Sequence, residues 1–335
     1  MRVAVIGAGS WGTAVASIIA PKGETILWAR RPELAEAINS SHQNPDYLAG
    51  LALPHQLEAT ADLERAVSGA ELVVMGVPSH GFRFVLEEAA PWIDSGAAVV
   101  SLTKGLEQGT LLRMTEVIAQ ALPSVAPNRI GVLTGPNLAR EIVAGQPAAS
   151  VVAMPDESIA EILQVIFHTR EFRVYTNTDV IGSEAAGAMK NVMAIGAGVA
   201  SGLGYGLNAL AAFVTRSLAE LTRLGMALGG RPLTFAGLAG MGDLIATCMS
   251  TQSRNHRVGL ALGQGRKLDD IISEMKMVAE GVKTTQSVIE LADRHGLDVP
   301  IASEVGAMLY EGLDPDVMVA NLLGRPARHE LDGIH

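Results

Sequence analysis

The sequence predicts an α/β chain, an N-terminal doubly wound parallel sheet followed by an all-helical C-terminal domain. Three observations predict it. The chain opens on a short, apolar, β-branched run, Arg2–Ile6, which passes at once into Gly7-Ala8-Gly9-Ser10-Trp11-Gly12 and a helical stretch through Ile19. Short apolar runs then alternate with helix-like stretches to about residue 178, the pattern of repeated βα units. From Asp179 onward no run reads as a strand, and long stretches rich in Ala, Gly and Leu take over. The expected domains are therefore 1–179 and 180–335, which suits a length of 335 residues. No fixed-period repeat is visible.

Composition sets bounds. Hydrophobic residues make up 48 %, charged residues 18 % and aromatics 4 %, so the core is large and built from aliphatic side chains and glycine. No run of about 18 uncharged apolar residues occurs, so no membrane insertion is expected. The apolar opening is broken by glycines, Ser10 and Trp11 at a fixed spacing, which a secretory signal does not require. The net charge of −10 argues against a nucleic-acid surface. The single cysteine, Cys248, cannot form an internal disulfide, which suits a cytoplasmic setting. It reads as a small buried residue rather than a reactive thiol. No metal-ligand spacing stands out.

The first elements carry a phosphate-binding pattern. In G-x-G-x-x-G, Gly7 permits a tight turn and Gly9 lets backbone N–H groups reach a pyrophosphate. Gly12 lets the helix pack closely on its strand, and the helix N-terminus faces the anion. In this strand–turn–helix setting the pattern points to a dinucleotide site. The next strand, Thr25–Trp28, should end near an acid for the adenosine ribose, yet Ala29-Arg30-Arg31 follows. Two guanidiniums suit a 2′-phosphate, so NADP(H) is favoured, with NAD(H) possible. The alternative is a solvated charge pair ahead of the helix that starts at Pro32.

Further strands are read at Glu71–Val77, Ala97–Leu102, Ile130–Leu133, Ser150–Met154 and Phe172–Tyr175. Loops at strand C-termini hold ligands in such sheets. His80, after the first of these, is an acid–base group or an ordinary hydrogen-bonding residue. Lys104, in Thr103-Lys104-Gly105, neutralises a phosphate, touches a substrate, or is a surface lysine. Thr134-Gly135-Pro136-Asn137 precedes a helix through Ala139–Ile142, giving a second edge for an anion or hydroxyl.

In the second half, the helix Ser183–Gly196 carries one lysine in small apolar surroundings. Gly187, Lys190, Asn191 and Ala194 share a face. Such a lysine can transfer a proton, with Asn191 as a second orienting group. Gly196–Gly202 resembles a nucleotide loop but follows a helix, so it is read as a decoy. Asn208–Leu228 reads as a long buried spine. Asp243, after Gly237–Gly242, either orients Lys190 or caps a helix. Ser253-Arg254-Asn255 offers a hydroxyl, a guanidinium fork and an amide, a set that suits a phosphomonoester. Val278-Ala279-Glu280-Gly281 closes a helix-like segment before a turn.

Taken in order, GAGSWGTA, VPSH, LTKGLE, TGPNLAREI, AMKNVMAIGAG, GMGDLIATC, QSRN and VAEG span nearly the whole chain. Together they resemble the bacterial NAD(P)-dependent glycerol-3-phosphate dehydrogenases. The resemblance implies a Rossmann domain followed by a helical domain and, as its activity, reduction of dihydroxyacetone phosphate to sn-glycerol 3-phosphate for glycerophospholipid synthesis. It also implies a homodimer. It matches Ser10, Trp11, Arg30, Arg31, Lys104, Ala139, Arg254, Val278 and Glu280 to cofactor contacts. It matches Lys104, Gly135, Asn137, Lys190, Asp243, Ser253, Arg254 and Asn255 to the substrate side, with Lys190 as the proton-transfer residue. Asn137 departs from the Ser or Thr of many members. Two other readings share the plan: a ketopantoate-type reductase acting on an unphosphorylated substrate, and a nucleotide-binding redox sensor.

Overall fold

The computed structural model describes residues 1–275, 279–327, 329, 330 and 333. Two compact units emerge, Met1–Glu107 with Leu112–Val180, and Gln108–Leu111 with Ile181–His335.

The first unit is built on one sheet of eight strands: β1 (Val3–Ile6), β2 (Thr25–Trp28), β3 (Glu58–Thr60), β4 (Leu72–Met75), β5 (Ala98–Ser101), β6 (Ile130–Thr134), β7 (Ala148–Ala153) and β8 (Phe172–Asn177). Their order is β3-β2-β1-β4-β5-β6-β7-β8. In register, Val3 of β1 sits beside Thr25 of β2 on one side and Leu72 of β4 on the other. The strand order therefore reverses at β1, and a crevice opens beyond the carboxyl end of that strand.

Side chains alternate between two cores. Val3, Val5, Leu27, Leu72, Val74 and Val100 enter one. Ala4, Ile6, Ile26, Trp28, Val73, Met75 and Val99 enter the other. Both faces are covered, so these strands read as continuous apolar runs rather than alternating ones. The helices over them are α1 (Ser10–Ile19), α2 (Pro32–Ser41), α3 (Leu63–Val67), α4 (Ser79–Ala89), α5 (Met114–Ala121), α6 (Ala139–Val143) and α7 (Glu157–Phe167).

The sheet departs from the expected one in two places. Strand β3 has three residues, pairs only with β2 and carries no apolar run that would announce it. Strand β7 runs antiparallel to β6, whereas all other neighbours are parallel. The cause lies in the connection. Helix α6 has five residues and rises only about 7 Å. It cannot carry the chain back along a strand about 16 Å long, so the chain turns and returns beside β6.

The second unit is helical: α8 (Val180–Gly202), α9 (Leu207–Ala227), α10 (Pro232–Phe235), α11 (Asp243–Met249), α12 (Arg254–Gly263), α13 (Leu268–Glu274), α14 (Glu280–Arg294), α15 (Pro300–Gly306) and α16 (Pro315–Leu323). Helix α8 is the buried element at its centre. It continues through Gly196–Gly202, so that run is helix rather than a loop. Its glycines have a packing reason. A Cβ at Gly198 would meet His256 O at 2.2 Å, and one at Gly202 would meet Leu260 O at 2.4 Å. From the facing helix α12, a Cβ at Gly259 would lie 1.9 Å from Ile195 O. The two backbones approach so closely that only glycine fits at these crossings.

Helix α9 corrects the expectation of a buried spine. Its C-terminal half packs inward through Ser217, Glu220, Leu221 and Leu224. The half from Leu207 to Arg216 is exposed or half-buried, with Leu207 73 % accessible. Among the described residues, Pro232–Met249 is the one stretch long and apolar enough to cross a membrane by composition. The backbone breaks inside it at Gly237, which is extended (φ −91°, ψ −164°). A five-residue π-turn, Leu238–Gly242, follows and leads into α11.

Candidate active site

The fingerprint turn sits at the end of β1. Gly7 adopts φ +115°, and a Cβ there would also strike Gly76 O at 2.7 Å. At Gly12, on the first turn of α1, a Cβ would lie 2.0 Å from Gly7 O. Around Gly9 nothing lies within 4 Å of such a Cβ. The tight turn, the close helix packing and the open approach are thus divided among the three glycines. The first turn of α1 directs backbone N–H groups, including those of Ser10 and Trp11, at that space. The indole Nε1 of Trp11 is buried with no partner among the described residues, so a ligand acceptor fits beside it. This cradle suits the pyrophosphate of a nicotinamide dinucleotide.

Arg30 and Arg31 follow β2, and both are exposed. Arg31 is the N-cap residue of α2 and forms an ion pair with Asp46. The pairing was not legible in the sequence, where Asp46 lies 15 residues further on. Lys104, beyond β5, donates from Nζ to the carbonyl oxygen of Gly135, 2.9 Å away. Those two expected site residues are therefore in contact. Gly135 adopts φ +144° with Ser150 directly behind it, so a side chain would be strained there. Asn137 Nδ2 donates to Ser150 Oγ at 3.2 Å, while its Oδ1 is buried without a partner among the described residues. Ala139 opens α6.

The second cluster centres on Lys190. Its Nζ donates to Asp243 Oδ1 at 2.6 Å and also to Thr247 Oγ1. The side chains of Lys190 and Asp243 are only 6 % and 2 % exposed. Asp243 is thus no simple helix cap. It begins α11 after the π-turn and supplies the counter-charge for a buried ammonium. Thr247, one turn on, donates its hydroxyl to Asp243 O at 2.6 Å, which leaves its lone pairs for Lys190. The second support expected from Asn191 comes from Thr247 instead, since no hydrogen bond joins Asn191 to Lys190 among the described residues. Thr247 was missed, although the i, i+4 spacing from Asp243 signals it. An ammonium has three protons, and two are committed here. Among the described residues the third has no partner, so it can meet a ligand oxygen.

Ser253, Arg254 and Asn255 form the N-terminus of α12. Ser253 is the N-cap and accepts from His256 N at 3.3 Å. Asn255 Oδ1 accepts from Gly281 N at 2.9 Å. A Cβ on Gly281 would meet both Asn255 Oδ1 (2.8 Å) and Asn191 O (2.6 Å). Helices α8, α12 and α14 therefore converge where Asn191, Asn255 and Gly281 meet, with Glu280 the first residue of α14. Val278 lies outside the described residues. The seryl and asparaginyl oxygens are committed to the scaffold, and the N-terminal end of the α12 dipole favours an anion.

Cys248 is 2 % exposed, and burial pushes its thiol up to about 12, so it stays protonated and inert. Among the described residues no group of three or more His, Cys, Asp or Glu side chains is placed to hold a metal.

Both parts of the chain match one family. Residues 2–160 match the family described as NAD-dependent glycerol-3-phosphate dehydrogenase N-terminus, and residues 179–320 match its C-terminus. A glycerol-3-phosphate dehydrogenase [NAD(P)+] 2 of Sphingopyxis alaskensis is 55 % identical over 305 residues, covering 91 % of each chain. A glycerol-3-phosphate dehydrogenase [NAD(P)+] of Thermobifida fusca is 51 % identical over 335 residues, 99 % of each. The crystal structure of glycerol-3-phosphate dehydrogenase from Coxiella burnetii matches with a TM-score of 0.91 and 38 % identity, over 97 % of this chain and 99 % of that one. The chain belongs to the NAD-dependent glycerol-3-phosphate dehydrogenase family.

Proposed function

We propose that this enzyme reduces dihydroxyacetone phosphate to sn-glycerol 3-phosphate with NADPH favoured over NADH, and that Lys190 supplies the proton. The observation that carries this reading is Lys190, buried, held by Asp243 and Thr247, and left with one N–H that has no partner among the described residues. Bound NAD(P)H supplies hydride to the carbonyl carbon. As the carbonyl oxygen gains charge, Lys190 Nζ stabilises it and then protonates it. Asp243 holds the lysine in place, and Thr247 fixes its direction. Arg254 and the first turn of α12 hold the phosphate, and so select which carbonyl meets Lys190. Lys104 with Gly135, and the unpartnered Oδ1 of Asn137, contribute further polar contacts to substrate or cofactor.

On this reading the Gly7–Gly12 turn, Trp11, Arg30 and Arg31 bind the dinucleotide, in a 1–179 domain. The family resemblance matches Ala139, Arg254 and Glu280 to further cofactor contacts, and residues 180–335 bind the substrate and carry Lys190. Two guanidiniums past β2 support the preference for the 2′-phosphate. The working form is a cytoplasmic homodimer serving glycerophospholipid synthesis, which the family resemblance supports.

The test is NADPH consumption by purified protein with dihydroxyacetone phosphate, beside dihydroxyacetone and ketopantoate. Turnover with the phosphorylated ketone alone is expected. Turnover with ketopantoate instead would favour the unphosphorylated-substrate reading, and NADPH binding without turnover on any of them would favour a sensor.

A further inference from the structure

The strand that should present an acid to the adenosine ribose ends in Ala29-Arg30-Arg31. The structure nevertheless brings a carboxylate to that place, from the loop after α2. Asp46 forms an ion pair with Arg31, directly past β2. The loop that carries it is fixed to the fingerprint turn. Asn44, fully buried, donates to Ala8 O and Thr13 Oγ1, each at 2.9 Å, and accepts from Tyr47 N at 3.1 Å. Ser10 Oγ donates to Tyr47 O at 3.3 Å. Asp46 therefore sits between two residues tied to the turn that cradles the pyrophosphate, and its carboxylate meets Arg31 just past β2.

We propose that Asp46 is a specificity residue for the nicotinamide cofactor: paired with Arg31, its carboxylate accepts the adenosine ribose 2′-hydroxyl of NAD(H), and it yields Arg31 to the 2′-phosphate of NADP(H). This rests on the assignment of Arg30 and Arg31 to the adenosine end. The chemistry follows from the two ligands. A 2′-hydroxyl can accept from an arginine, but its own proton needs an acceptor, which neither arginine provides. A 2′-phosphate needs cations and is repelled by a carboxylate. Both partners of the pair are accessible, Arg31 at 52 % and Asp46 at 44 %. An ion pair so exposed contributes little and separates at little cost. The pair can thus open for one cofactor and stay closed for the other. Arg30 has no ion-pair partner among the described residues and remains for the phosphate in both states.

The experiment compares wild type with Asp46→Asn, Asp46→Ala and Arg31→Ala, all as full-length protein. It reads kcat/KM for NADPH and NADH with dihydroxyacetone phosphate. Equilibrium binding of adenosine 2′,5′-bisphosphate and of 5′-AMP reports the adenosine end without turnover. Loss of a hydrogen bond to a charged acceptor is expected to lower kcat/KM for NADH about tenfold in Asp46→Ala. Removal of the carboxylate is expected to raise the affinity for the bisphosphate a few-fold in both Asp46 variants, so the NADPH/NADH ratio rises. An unchanged ratio in both Asp46 variants overturns the proposal. If Arg31→Ala lowers bisphosphate affinity while the Asp46 variants change nothing, the arginine assignment stands and the role of Asp46 fails. If Arg31→Ala leaves bisphosphate and 5′-AMP binding alike, the arginine assignment itself fails.

Discussion

Lys190 and Asp243 lie 53 residues apart in sequence, yet their charged atoms meet at 2.6 Å with both side chains nearly closed to solvent. Helix α8 delivers the lysine and the first residue of α11 delivers the carboxylate. Two buried charges are tolerable only as a pair, because each compensates the other's lost hydration.

Replacing Asp243 by Asn leaves the ammonium buried without its counter-charge. Breaking such a pair is expected to cost of the order of 3 kcal/mol in folding stability. Urea denaturation of the purified variant measures this. A midpoint equal to wild type would mean that the pair is dispensable to the fold.

Thr247 acts through Lys190. Thr247→Val removes the hydroxyl at nearly constant volume and is expected to lower kcat about tenfold. Thr247→Ser keeps the hydroxyl and should recover most of the rate, and KM for the cofactor should change little in either. Equal losses in Val and Ser variants would point to packing rather than the hydroxyl.

Two glycines separate packing from binding. Gly259→Ala places a Cβ 1.9 Å from Ile195 O, a backbone atom held within α8. Overpacking of this kind is expected to cost about 2 kcal/mol or more. Gly9→Ala meets nothing within 4 Å, so the fold should survive while dinucleotide affinity falls. Thermal unfolding together with cofactor titration reads both, and a stable Gly259→Ala would remove the close-crossing argument.

Glu220 gives the chain a pH dependence. From α9 its carboxylate accepts from Ile301 N and Ala302 N, 2.9 Å each, at the start of α15. Burial raises it from 4.5 to about 7, against the opposing pull of those two bonds. The folded chain then keeps a proton that the unfolded chain has already released. The stability so gained is full below about pH 4.5, declines as pH rises, and is lost above about 7, an upper bound of about 3 kcal/mol. The melting temperature should fall over that window, and less steeply in Glu220→Gln. An identical slope in the variant would assign the effect elsewhere.

Much of the sheet was legible because its strands are buried on both faces. Val3–Ile6, Leu72–Met75 and Ala98–Ser101 each stand out as apolar runs bounded by turns. Strand β3 was not, since its three residues gain their strand character only from pairing with β2. The reversal at β7 depends on the length of α6, which composition does not reveal. The run Gly196–Gly202 was legible as a decoy from the helix before it, but its reason was not: glycine serves a tight phosphate turn and a close helix crossing alike, and the crossing appears only with the partner α12. In the candidate site, Lys190 and Asp243 were each visible as polar residues in small apolar surroundings. Thr247 was visible only once Asp243 was known to start a helix. Asp46 was not visible at all, because its partner Arg31 is reached through the loop that Asn44 fastens to α1.

The most direct test of the proton-transfer role is Lys190→Ala, assayed for reduction of dihydroxyacetone phosphate and, separately, for NADPH binding by fluorescence. Turnover is expected to fall about a hundredfold or more while NADPH still binds with near wild-type affinity. Near-normal turnover in that variant would contradict the assignment of Lys190 as the proton donor.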